Sequence, residues 1–187
     1  MFRLRLLTLI LSILVFPAMV AAQFDTDHPG YFPIEDLGIL PEEAINLEIN
    51  LPGSMLKFIA AAIGEEDPDF SRIAENLKSI RVRGADLDGV GVQSIRSGFD
   101  NAAQKLKEAG WISMVRVRED DEEVYVFFKE QAGEMVGLTV FTLEDQEAMM
   151  VNLVGNIDPS DLSGLAEGLD LDLPDMGSLS GDSTDEN

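Results

Sequence analysis

From Trp111 onward the chain reads with a period of two. WISMVRVR, EVYVFFKE, EMVGLTVFTL and EAMMVNLVGNI follow one another as four strand candidates, rich in β-branched and aromatic side chains. The connections between them are tight: Asp120-Asp121-Glu122, Gln131-Ala132-Gly133 and Glu144-Asp145-Gln146. A short connection forces its two strands to be antiparallel neighbours. This part of the chain must therefore form a β-meander.

The residues before it supply helices and two more strands. AINLEINL alternates, with Ile45, Leu47, Ile49 and Leu51 expected on one face of a half-buried strand. Pro52-Gly53 ends it, and Ser54 is placed to cap a helix, MLKFIAAAI, closed by Gly64. Asp67 and Pro68 open a second helix, whose Phe70, Ile73, Ala74 and Leu77 follow the spacing of one buried face. IRVRG is a short strand, and after the loop ADLDGVGVQ a third helix carries Ile95, Phe99, Ala102, Ala103 and Leu106 on one stripe. Gly110 is placed to terminate it in the left-handed region. After the meander, Asp158-Pro159 repeats the capping device, and Leu162, Leu165, Ala166 and Leu169 make a short amphipathic helix. The order β-α-α-β-α-β-β-β-β-α predicts an α+β domain, a mostly antiparallel sheet with helices packed on one face.

The two ends differ from this body. Residues 1–22, MFRLRLLTLILSILVFPAMVAA, read as a secretory signal peptide. Arg3 and Arg5 form the positive region, Leu6 to Phe16 the apolar run, and Val20-Ala21-Ala22 a cleavage site before Gln23. That run is shorter than the about 20 apolar residues a bilayer span needs. The expected mature chain is exported and soluble, periplasmic or extracellular, with no stable membrane anchor. Residues 23–43 are a Pro/Gly-rich lead-in expected to dock through Phe24, Tyr31 and Phe32. Residues 44–169 form the single domain. Residues 170–187 carry acids and no base among Gly and Ser, and read as a disordered tail.

Charge narrows the partners. Without the leader the chain keeps 11 basic against 35 acidic residues, a net charge of −24. Such a surface repels nucleic-acid phosphates and anionic lipid headgroups. There is no cysteine, so disulfides, thiolate chemistry and Cys-ligated metals are excluded, as is lipid modification at Gln23.

Three stretches carry a family resemblance. They are WISMVRVRED, VYVFFKEQAGEMVGLTVF and MMVNLVGNIDPSDLSGLA, a strand after a helix and glycine, a hairpin, and a strand passing straight into a helix. In these the chain resembles the bacterial domain-of-unknown-function family 4252, over Ile45 to Leu165. The resemblance implies the fold and an exported address. Family members are often lipoproteins, whereas this chain lacks the lipid-modified Cys. The family offers no catalytic residues to carry over.

Chemistry-bearing motifs are sparse. The single histidine, His28, lies in the lead-in without a scaffold to orient it. Asp86-Leu-Asp88-Gly89 starts like a calcium loop, but Val90 and Ser97 stand at loop positions five and twelve, where ligands are needed. Glu119 to Glu123 reads as a solvated hairpin tip, and Gly89-Val-Gly91 fails both nucleotide-loop patterns. No cofactor, metal or catalytic residue is expected.

Two features stand out. Arg81/Arg83 and Arg116/Arg118 each occupy alternate strand positions, so each pair projects from one sheet face. If their strands are neighbours, four guanidiniums line up as a site for an anion or acidic partner. The ordinary reading is pairing with local acids such as Glu123 and Glu130. In MLKFIAAAI the only polar residue is Lys57. Met55, Leu56, Phe58 and Ile59 then belong either to the core or to an apolar docking surface. The function expected from all this is a non-catalytic envelope or periplasmic interaction module. The alternatives are a carrier holding an apolar small molecule between helix and sheet, and a hydrolase using a carboxylate pair.

Overall fold

The computed structural model describes residues 24–63, 68–89, 91–119 and 122–158. The expected leader, the helix at 159–169 and the acidic tail lie outside these residues. The lead-in has two short 3-10 turns, Ile34–Leu37 and Glu42–Ala44. It is followed by β1 (Ile45–Pro52), α1 (Gly53–Ile63), α2 (Pro68–Asn76), β2 (Leu77–Asp86) and α3 (Val92–Glu108). The meander follows as β3 (Ile112–Arg118), β4 (Glu122–Gln131), β5 (Glu134–Glu144) and β6 (Glu147–Ile157). All pair antiparallel in one six-stranded sheet of order β1-β2-β6-β5-β4-β3. The α+β architecture and its meander are as the sequence predicts.

The meander's register is set by its turns. Gln131 pairs with Glu134 across Ala132 and Gly133, whose φ angles are 56° and 83°. Two successive positive angles make the turn whose twist matches paired strands, and Gly133 supplies the one that costs nothing. At the end of α3, the Gly110 N–H donates to Lys107 and the Trp111 N–H to Leu106, with Gly110 at φ 77°. These are the two bonds of a Schellman ending, at the glycine the sequence marked.

Helices pack on both faces, not one. On the first face Ile95, Phe99, Ala102 and Leu106 of α3 meet Tyr125, Phe127, Phe141 and Met150, joined by Phe32, Ile34 and Leu40 of the lead-in. On the second face Leu56 and Ala60 of α1 and Ile73 and Ala74 of α2 meet Ile80, Val82, Val151 and Leu153. The reason lies in β4, β5 and β6, which are apolar at consecutive positions. Val124 and Val126 point one way and Tyr125 and Phe127 the other, all buried. Strands apolar on both sides need a cover on each.

Two smaller expectations also change. The register shifts between Ile45 and Leu47, so a bulge turns Ile45 toward the first face while Ile49 and Leu51 pack on the second. Ser54 lies within the first turn of α1, which begins at Gly53. Among the described residues no helix is long and apolar enough to cross a membrane.

Candidate functional site

Arg81 and Arg83 project from β2 onto the first face, where the lead-in crosses the sheet as a strap. Arg81 is 1% exposed. A guanidinium so deep must be neutralised and hydrogen-bonded to be tolerated. Its terminal nitrogens donate to both carboxylate oxygens of Glu35, to the Phe32 carbonyl and to Asn152 Oδ1. The Tyr31 ring lies 4.0 Å from the guanidinium carbon. Burial raises the Tyr31 pKa, against the pull of the adjacent Arg81 cation. Arg83 donates to the Glu35 carbonyl at 3.1 Å and to Glu42 at 3.2 Å.

Asn152 completes this clamp. Its Oδ1 also accepts from the Phe32 N–H at 3.1 Å, and its Nδ2 donates to Gly30 O, Leu138 O and Thr139 Oγ1. The strap can come so near because two glycines meet: a Cβ on Gly30 would stand 1.9 Å from the Val136 carbonyl oxygen, and one on Gly137 would stand 2.5 Å from Gly30 Cα. Sequence reasoning missed Asn152, and its signal was an amide in the middle of the apolar run MMVNLVG.

Arg116 and Arg118 sit on β3, at the far edge of the sheet. Three strands, β6, β5 and β4, separate them from β2, so the four arginines do not line up. Both donate to Asp100 of α3, at 3.0 and 2.9 Å. The Tyr125 hydroxyl lies within 2.9 Å of Asp100 and 3.2 Å of Glu123 as donor, and accepts from Arg118. Glu123 is fully buried beside Arg118 Nε at 3.0 Å and Arg96 at 3.6 Å. It is therefore not part of a solvated tip. Burial alone would raise the Asp100 carboxyl, but hydrogen bonds from Arg118 and Tyr125 outweigh it and hold the pKa low. Burial, reinforced by Asp100, raises the Tyr125 phenol.

The α1 residues divide by face. Leu56 is fully buried and belongs to the core, and Ile59 is half-buried. Met55 and Phe58 point outward, 46% and 70% exposed. Exposed Ala61 and Ala62 extend this surface, and Leu47 of the edge strand β1 is also exposed.

Acidic residues gather elsewhere without organising. Asp86, Asp88, Glu144, Asp145 and Glu147 line an open depression where the end of β2 meets the β5–β6 turn. Among the described residues no group of three or more His, Asp or Glu side chains is arranged to hold a metal ion. His28 Nδ1 accepts from the Gly30 N–H at 3.1 Å, and burial, assisted by Lys78, lowers its pKa.

Comparison with known proteins places the chain by family alone. No curated protein and no solved structure matches it. A family model does, over residues 42–165, which take in every described strand and helix and leave out most of the strap. The chain belongs to that family, described as Domain of unknown function (DUF4252).

Proposed function

We propose that this chain is an exported, non-catalytic interaction module that docks a protein partner through the outer face of α1. The observation that carries this reading is Phe58, a large aromatic 70% exposed in the middle of an α-helix, with Met55 one turn before it. Burying such an aromatic on association is among the most favourable contributions a surface residue can make. The partner is a protein surface with an apolar centre and a basic rim. Charge complementarity argues for it: the mature chain carries −24, and Glu65-Glu66-Asp67 follow α1 in sequence after Gly64. The same charge argues against an anionic membrane.

The arginines do not offer a better site. Arg81 and Arg83 are engaged by the strap, and Arg116 and Arg118 by Asp100 and Glu123. Nor do the carboxylates that share Tyr125 favour a hydrolase. A general acid needs a raised pKa, and that of Asp100 is lowered.

The test is a photo-crosslinking benzoylphenylalanine at position 58, used in the native cell and compared with the same probe at exposed Lys105. The expected adduct is a single protein, identified by mass spectrometry, whose complex reforms from purified components. Phe58→Glu should abolish that complex, and added salt should weaken it. Adducts only to a second copy, only to lipid, or no stronger than at Lys105 would sink the proposal.

A further inference from the structure

The strap that engages Arg81 and Arg83 also shows what they recognise. On the first face, side chains of β2 and β6 read its main chain. Asn152 accepts from the Phe32 N–H and donates to the Gly30 carbonyl. Arg81 donates to the Phe32 carbonyl and Arg83 to the Glu35 carbonyl. Every peptide offers such groups, so these contacts grip without selecting a sequence. Two side chains add selectivity. Phe32 meets Trp111 edge-on, with ring centroids 6.2 Å apart, and the Glu35 carboxylate neutralises Arg81.

Two observations set this floor apart from its occupant. The family model begins at residue 42, so Arg81, Arg83, Trp111 and Asn152 lie within it and Gly30 to Glu35 before it. The strap also leaves donors unfilled. Arg81 Nε and Arg83 Nε are buried, and among the described residues neither finds an acceptor. A carboxylate gripping a guanidinium side-on would use that nitrogen.

We infer that this floor is a peptide-binding groove and the strap its tethered occupant. The ligand it fits in trans is an extended acidic segment of another protein, with an aromatic residue and, three positions later, a carboxylate. Acidity is required although this chain is itself acidic. Displacing the strap removes Glu35 and Glu42, and a guanidinium as deep as Arg81 demands a counter-charge. A short tether holds its ligand at an effective concentration on the order of 1 mM, so the groove stays shut until a competitor arrives. The groove lies on the opposite sheet face from α1 and stands independently of the docking proposed there.

The probe is a fluorescein-labelled peptide of residues 28–44, HPGYFPIEDLGILPEEA, added to the full chain. Glu35→Ala in the chain weakens only the tethered copy. Fluorescence anisotropy should then show saturable binding about ten-fold or more tighter than to the parent, the size of one charge-assisted hydrogen bond. A peptide that itself carries Glu35→Ala should lose about the same factor, and a scrambled peptide should not bind. A second measurement uses the unaltered chain. The same peptide with benzoylphenylalanine in place of Tyr31, whose ring lies over Arg81, should crosslink to β2 or β6 when added at millimolar concentration. Mass spectrometry locates the adduct. Equal binding of the scrambled peptide, no gain from Glu35→Ala in the chain, or adducts absent or mapping elsewhere would overturn the inference.

Discussion

The chain carries the same tripeptide, Arg-Val-Arg, on two strands, and the sheet treats the two copies in opposite ways. In β2 the arginines lie under the strap, with Arg81 1% exposed and its partners fixed by buried side chains and backbone. In β3 they lie on the sheet edge, with Arg116 47% and Arg118 43% exposed, sharing Asp100 with solvent. Local sequence gives both pairs one face and one chemistry. Strand position decides whether the guanidinium becomes a structural pin or a surface charge. Counting ion pairs would have ranked the two alike, whereas the cost of desolvation separates them.

The largest effect should come from breaking the buried member. Arg81→Met removes the charge-assisted hydrogen bonds to Glu35, the Phe32 carbonyl and Asn152, and a hydrogen bond to a charged group is worth about 1.5–3 kcal/mol. Urea denaturation should show a correspondingly lower midpoint. Next comes the approach of the strap itself. Gly30→Ala puts a methyl against the Val136 carbonyl, and overpacking of this kind costs about 1–3 kcal/mol, read as a lower melting temperature. If either variant melts like the parent, the strap is not what distinguishes the two pairs.

The edge pair should respond weakly. Arg116→Ala is expected to cost about 0–1 kcal/mol, within the range of exposed ion pairs. It should also raise the Asp100 pKa, followed by NMR of the carboxyl carbon, because the Arg116 cation helps to hold it down. The sign with pH follows from that depression. The stabilisation from Asp100 is complete above its ordinary 3.8 and is lost as pH falls through its lower folded value. A loss from Arg116→Ala as large as that from Arg81→Met would dissolve the contrast.

The smallest effect compares the two tyrosines, one in each cluster. Both phenols have raised pKa values, chiefly from burial. Stability they contribute is intact below the ordinary 10.0 and declines as pH rises through the folded values. Ultraviolet titration should therefore show both ionising late, and Tyr31→Phe should remove one transition only. A tyrosine titrating at its ordinary value would place that cluster nearer to solvent than described.

Much of the fold was legible because it is local. The meander came from period-two patterning and short turns, α3 from its stripe, and its ending from Gly110. The covering of both faces was written in VYVFF and MMVNLV, whose consecutive apolar residues exceed what a one-sided strand needs. The alternation of AINLEINL could not reveal the bulge at Ile45, because register is a property of the pair with β2. Arg81 and Asn152 were illegible for the same reason on a larger scale. They meet only because β2 pairs with β6, 71 residues on. On α1 the sequence named Met55, Leu56, Phe58 and Ile59 together, and only packing could separate Leu56 from the exposed two.

The strap has a consequence for how the chain is made. The Phe32 N–H finds its acceptor on Asn152, 120 positions later, so the strap cannot dock on β6 until that strand exists. Contacts between such distant residues form slowly, because a long loop must close before they reward it. For a chain that crosses a membrane as proposed, this delay keeps it threadable during synthesis.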